Sequence, residues 1–229
     1  MSIYTDGTYA ANNPTFHADH CDWKARQVAA ILRDNNITYS RLVDVGCGSG
    51  GVVRYFAATH PEAMHYGVDI SPQALALCKQ YPAPSNAQFS SEFDPNVHPD
   101  VVTLLDVLEH VENPWEFLRR FRAVPYVVIH FPLDAHVLGI LRGTPMRLRQ
   151  DVGHIHLFTR ETALSFVREC GLTVIDERFT PGALELPKRR PIGNRLNPLR
   201  RVLFAFAPHL AASTLGGFPL LVLTKGETE

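Results

Sequence analysis

The chain lacks an excess of either charge: 22 Lys and Arg residues stand against 23 Asp and Glu in 229. A near-neutral chain has no global field to pull it onto nucleic acid or a membrane, so any such attraction has to be local. No basic stretch interleaved with aromatics is evident, which argues against nucleic acid as a partner. Cysteine is scarce: Cys21, Cys47, Cys78 and Cys170 are scattered, with no CxxC spacing. A chain this long has no need of staples, so reduced thiols in the cytoplasm are the expectation. Long apolar runs are missing too. The stretch 202–212 contains Pro208 and His209 and falls short of the ~18 residues that a membrane span needs. Residues 1–17 show no basic start leading into an apolar core, so no secretory signal is expected. These absences predict a soluble, cytoplasmic protein without a transmembrane segment. No internal repeat is apparent, and the length suits one core, so a single domain over 1–229 is expected.

What is present is alternation. Residues 22–35 place Trp23, Val28, Ile31 and Leu32 at rough helical spacing within an N-terminal cap region, 1–38. Short β-branched runs at 41–45, 64–70, 101–105, 126–131, 172–177 and 218–224 predict strands, with a weaker one at 88–93. Between them, 50–59, 73–81, 114–122 and 160–170 predict helices, one opened by Ser71-Pro72 and another stopped by Gly171. Such βα order argues for a mainly parallel sheet with helices on both faces. Two segments do not fit. Residues 134–153 contain Gly139, Gly143, Pro145, Arg142, Arg147 and Arg149, with no acid between Asp134 and Asp151; they predict a lid inserted over a site. Residues 181–216 form a basic arm with Lys188, Arg189, Arg190 and Arg195, followed by an apolar helix at 199–212, with no acid between Glu185 and Glu227.

The strand at 41–45 runs into Gly46-Cys47-Gly48-Ser49-Gly50-Gly51. Glycine is needed there because a tight turn with positive φ and the close approach of a ligand both exclude a Cβ. On glycines alone a dinucleotide enzyme fits as well, since Gly46, Gly48 and Gly51 satisfy GxGxxG. Asp44 discriminates: a carboxylate inside the strand repels a pyrophosphate and attracts the cationic methionine end of S-adenosylmethionine. Asp69, ending the next strand, suits a ribose diol in either case.

The run 43–51 resembles motif I of class I S-adenosylmethionine-dependent methyltransferases. Residues 100–111, Asp-Val-Val-Thr-Leu-Leu-Asp-Val-Leu-Glu-His-Val, resemble the fourth-strand motif of the branch containing ubiquinone-biosynthesis-type and other small-molecule methyltransferases. The resemblance implies an α/β, Rossmann-like sheet of seven strands, mostly parallel with an antiparallel last strand. It also implies S-adenosylmethionine as cofactor and S-adenosylhomocysteine as product. Asp44, Gly46, Cys47, Gly48, Gly50, Asp69, Ile70, Leu105 and Asp106 are then the cofactor-binding residues. The family's acid after the third strand is missing, with Ser91 or Glu92 as substitutes for the adenine contact.

Methyl transfer from a sulfonium is an in-line displacement, so the enzyme aligns its substrates and supplies a base to a hydroxyl acceptor. Histidine suits that role near neutral pH. His110, His130, His136, His154 and His156 stand at strand ends or in the lid, each with packing as its plainer role. The alternating run 153–159 directs His154 and His156 to one side of an extended segment. His154 is the first choice of base, followed by His156 and His110. No residue is assigned to a metal, although Asp106, Glu109 and His110 with His154 or His156 could hold a divalent ion. That set resembles the metal site of small-RNA 2′-O-methyltransferases. The expected partner is a small-molecule acceptor, an anionic one if the basic arm receives it, and the helix beyond the arm leaves room for peripheral membrane contact. The competing class is a non-catalytic cofactor-binding partner or regulator of the same fold. Acceptor and oligomeric state are not set by the pattern.

Overall fold

The computed structural model describes residue 4, residues 6–186 and residues 196–226; the cations Lys188, Arg189, Arg190 and Arg195 of the basic arm lie outside them. Seven strands form one sheet: β1 (Arg41–Val45), β2 (Met64–Val68), β3 (Ala87–Ser90), β4 (Val101–Leu105), β5 (Tyr126–Phe131), β6 (Thr173–Phe179) and β7 (Leu220–Lys225). Their spatial order is β3-β2-β1-β4-β5-β7-β6. β1 to β5 pair in parallel, and β7 runs antiparallel to both β5 and β6.

The central strands are apolar on both faces because helices cover both. Alternation along each strand splits the core in two. Leu42, Val101, Leu105 and Val128 face Ala25, Val28, Ile31 and Leu32 of α2 (Ala18–Asp34) and Phe56 of α3 (Gly51–Thr59). Val43, Val102, Leu104, Val127 and Ile129 face the opposite layer, with Leu118 of α5 (Pro114–Arg119) and Phe166 of α8 (Arg160–Glu169). Local chemistry sets several helix starts. Ser71 caps α4 (Pro72–Gln80), accepting from the Ala74 amide at 3.3 Å. Thr159 and Thr162 form a capping box at α8.

Two expectations need correction. β3 ends at Ser90, not at 93; there Ser90 Oγ turns to donate to the Glu92 carbonyl at 2.8 Å. The expected helix 199–212 is two, α10 (Asn197–Phe206) and α11 (Pro208–Leu215). Pro208 removes an amide and clashes with the preceding turn, and Ala207 sits at φ −148°. Of that helix's aromatics, Phe204 stacks on Phe218 at 4.5 Å, whereas Phe206 is exposed. The segment read as a lid folds into α6 (Val137–Leu141) and α7 (Thr144–Asp151). Short helices α1 (Thr8–Asn12) and α9 (Gly182–Glu185) complete the chain. No helix among the described residues is long and apolar enough to cross a membrane, and all four cysteines are buried and unbridged.

Candidate functional site

The chain turns in opposite directions from β1 and β4, so their carboxyl ends open a crevice where ligands of such sheets bind. β1 enters it through Gly46, Gly48 and Gly50, all at positive φ. A Cβ at Gly46 would lie 2.6 Å from Val107 Cγ2, and one at Gly50 2.5 Å from Phe89; the turn tolerates no side chain at either. The amides of Gly46 and Cys47 donate to the Val68 carbonyl, at 2.7 and 3.1 Å. Asp69 accepts from the amides of Gly48 and Ser71, both at 2.8 Å, so the acid at the end of β2 also braces the glycine turn. Burial raises its pKa, although those two amides favour the charge.

Asp44 is buried beneath the turn and accepts from Thr103 Oγ1 of β4 at 2.6 Å. Burial pushes its carboxyl up to about 7, against the Thr103 hydrogen bond and the Lys24 charge. Asp106, just past β4, holds a left-handed φ of 61°. Its amide donates to the His130 carbonyl at 3.1 Å. Lys24 Nζ of α2 lies 2.8 Å from Asp106 Oδ2, and His130 Nδ1 lies 2.5 Å from Oδ1. His130 Nε2 lies 3.0 Å from Thr180 Oγ1. Burial works against the Asp106 charge, yet Lys24 and His130 outweigh it and hold the carboxyl well below the usual range.

One turn further, three groups converge: Glu109, His110 and His154 bring one ligand atom each within 4.8 Å of one another. His154 Nδ1 lies 2.7 Å from Asp134 Oδ2, and His110 Nδ1 3.3 Å from the Gly153 carbonyl. Carboxylate and carbonyl oxygens only accept, so both Nδ1 atoms donate, and in that tautomer the lone pair of each ring is on Nε2. Those Nε2 atoms face Glu109 Oε1, at 3.7 Å from His110 and 3.9 Å from His154. Glu109 is buried, and among the described residues neither of its carboxylate oxygens has a hydrogen-bond partner. Burial, then the charge of Asp106, raises its pKa well above the usual value. Burial and His154 lower that of His110 to about 4.

The remaining sequence-derived residues are placed as follows. His156 Nε2 lies 2.9 Å from the Val111 carbonyl, so it donates there. Asp106 turns toward Lys24 and His130 and does not join the Glu109 group. Cys47 packs with Val53 and Cys78, Ile70 is exposed, and Leu105 is buried at the end of β4. Ser91 and Glu92 are exposed just beyond β3. His136 caps α6, accepting from the Gly139 amide at 3.1 Å. Sequence reasoning gave no site role to Lys24, Thr103, Asp134 and Thr180. Only Asp134 carried a signal, an acid placed just after β5.

A family model described as a methyltransferase domain matches residues 17–177. Among curated proteins, the chain is similar to a trans-aconitate 2-methyltransferase of Streptomyces avermitilis, 35% identical over 32% of this chain and 28% of that protein. It is also similar to a ubiquinone biosynthesis O-methyltransferase of Azoarcus sp., 35% identical over 32% of this chain and 34% of the relative. The chain thus spans about a third of the length of the curated relatives it matches. Among solved structures, magnesium protoporphyrin IX methyltransferase from Synechocystis, with bound SAH, superposes with a TM-score of 0.57 at 15% identity, over 93% of this chain and 86% of that one. At that identity the likeness is one of fold.

Proposed function

The chain belongs to the methyltransferase-domain family, and from that premise we propose that it methylates an oxygen or nitrogen of a small-molecule biosynthetic intermediate, with S-adenosylmethionine as donor. The observation that carries the catalytic part is the pair Asp134 and His154, 2.7 Å apart, beside the crevice at the ends of β1 and β4.

The residues present fit the donor. Side-chain-free backbone at Gly46 and Gly50 keeps the turn tight, which lets a ligand approach its backbone and the first turn of α3 closely. Asp44 offers a carboxyl to the amino end of the donor, and Asp69 offers oxygens to a ribose diol. Leu105 and Asp106 border the methionine end. Bound S-adenosylmethionine supplies an electrophilic methyl group and leaves as S-adenosylhomocysteine. Asp134 fixes the His154 tautomer, as carboxylate partners do for catalytic histidines, and Nε2 takes the proton that the acceptor loses. A positioned base of this kind contributes about 10²–10⁴-fold. Single His154→Ala, His156→Ala and His110→Ala variants test the assignment by turnover on the acceptor found by a mass screen with labelled cofactor. Unchanged turnover in all three removes the base.

A second reading rests on the Glu109 group. Two imidazole lone pairs and an unpartnered buried carboxylate form the donor set of a divalent cation site, with Asp134 as the second hydrogen bond of His154. On this reading Glu109, His110 and His154 would hold the cation, which would supply a positive charge to the acceptor oxygen. Elemental analysis of the purified protein separates the two: bound metal lost in Glu109→Gln supports the metal, and metal-free protein with chelator-resistant turnover supports the base.

A further inference from the structure

The helices that methyl transfer leaves unused form one continuous layer. α6 packs against α7 and α11, and α11 against α10. His136, capping α6, lies so close to Gly216 at the end of α11 that a Cβ there would fall 2.2 Å from its Nε2. Arg200 of α10 donates to the Leu215 carbonyl of α11 at 3.0 Å.

That layer exposes side chains that folding normally buries. Phe206 is 86% exposed, Leu141 79%, and Ile140, Met146 and Val202 60%, 62% and 60%. On α10, Leu199, Val202 and Phe206 follow i, i+3, i+7 spacing and form one stripe. Leu203 and Phe204 of the same helix pack against the core instead. α10 is therefore apolar on two sides, one spent on the core and one open.

The charges in this layer are mostly of one sign, with Asp151 at the end of α7 its one acid. Arg142, Arg147, Arg149 and Arg201 are exposed, and no acid lies between Asp134 and Asp151 or between Glu185 and Glu227. A second copy laid face to face would set the four arginines against four arginines, with only Asp151 to answer them. An acidic protein surface matches the arginines but not the tips of Leu141 and Phe206. A bilayer with anionic headgroups matches both, since apolar tips enter the acyl boundary while guanidiniums stay at phosphate level. We propose that the layer formed by α6, α7, α10 and α11 docks the chain onto an anionic lipid bilayer as a peripheral contact. Asp134 leads into α6, and α7 leads into Gly153 and His154, so docking sets the candidate site beside the membrane surface. The docking does not depend on methyl transfer.

Flotation of the full chain with vesicles of phosphatidylcholine, with and without phosphatidylglycerol, tests it. The expected result is flotation only with phosphatidylglycerol, weakened by salt. The variant Leu141→Glu/Val202→Glu/Phe206→Glu should float at least about tenfold less, with its melting temperature nearly unchanged because the three sites are exposed. A second variant, Arg147→Ala/Arg149→Ala, should weaken binding on the order of tenfold. Absent flotation, equal flotation on both vesicles, or parental flotation of both variants overturns the proposal. So does a dimer that the glutamate variant dissolves while the parent binds no vesicle.

Discussion

The donor side of the crevice and the layer that follows β5 are built on different terms. From β1 to Asp69, every functional group but Asp44, which leans on the Thr103 side chain, is fixed by nearby backbone: Asp69 by two amides, the turn by the Val68 carbonyl, the glycines by their own φ. After β5 the groups are fixed by side chains, as Asp134 fixes His154, and the covering helices leave large apolar residues in solvent. A rigid donor cradle beside a layer set by exchangeable side chains suits a fold that keeps one cofactor while its acceptors vary.

The sharpest way to break the donor side is Gly50→Val. A Cβ 2.5 Å from Phe89 at a φ of 75° should abolish S-adenosylhomocysteine binding and cost about 3 kcal/mol of stability, read by calorimetry and thermal denaturation. Next comes the acceptor side: His154→Ala should lower kcat about 10²–10⁴-fold, with the donor's affinity nearly unchanged, and Asp134→Asn should fall in the same direction. If His154→Ala weakens donor binding as strongly as turnover, the two sides are not separate.

Asp44 gives a smaller, pH-dependent effect. Its folded value of about 7 lies above the ordinary 3.8, so the folded carboxyl keeps a proton that the unfolded chain has lost. The unliganded fold should therefore lose stability as pH rises from about 4 to 7, on the order of 4 kcal/mol, and level off above 7. A ligand that needs the ionised carboxyl must expel that proton. Affinity for S-adenosylmethionine should accordingly fall about tenfold per pH unit below 7 and be flat above it. Asp44→Asn should remove both dependences. The smallest effect separates two neighbours on α10. Phe204→Ala, losing its stack on Phe218, should destabilise by about 3 kcal/mol, while Phe206→Ser should stay within about 0.5 kcal/mol.

The same contrast explains what the sequence revealed. The strand, turn and helix around Gly46 were legible because their causes are local: β-branched runs, glycines at positive φ, Ser71-Pro72 at a helix start. The order of sheet and helices followed from that alternation. Thr103 under Asp44, Lys24 against Asp106 and Thr180 against His130 were not legible, because each pair is joined only by folding. The i, i+4 spacing that suggested Asp106 beside His110 gave way to a left-handed residue at 106, which swings the carboxylate toward Lys24. Pro208 was visible as a break in the apolar stretch; that it would divide the helix was not drawn from it.

The central claim is that the glycine turn with Asp44 binds S-adenosylmethionine and not a dinucleotide. Calorimetric titration of the chain with S-adenosylhomocysteine and with NAD tests it most directly. Binding of S-adenosylhomocysteine, weakened by Asp44→Asn, with no heat from NAD is the predicted result; tighter binding of NAD would contradict it.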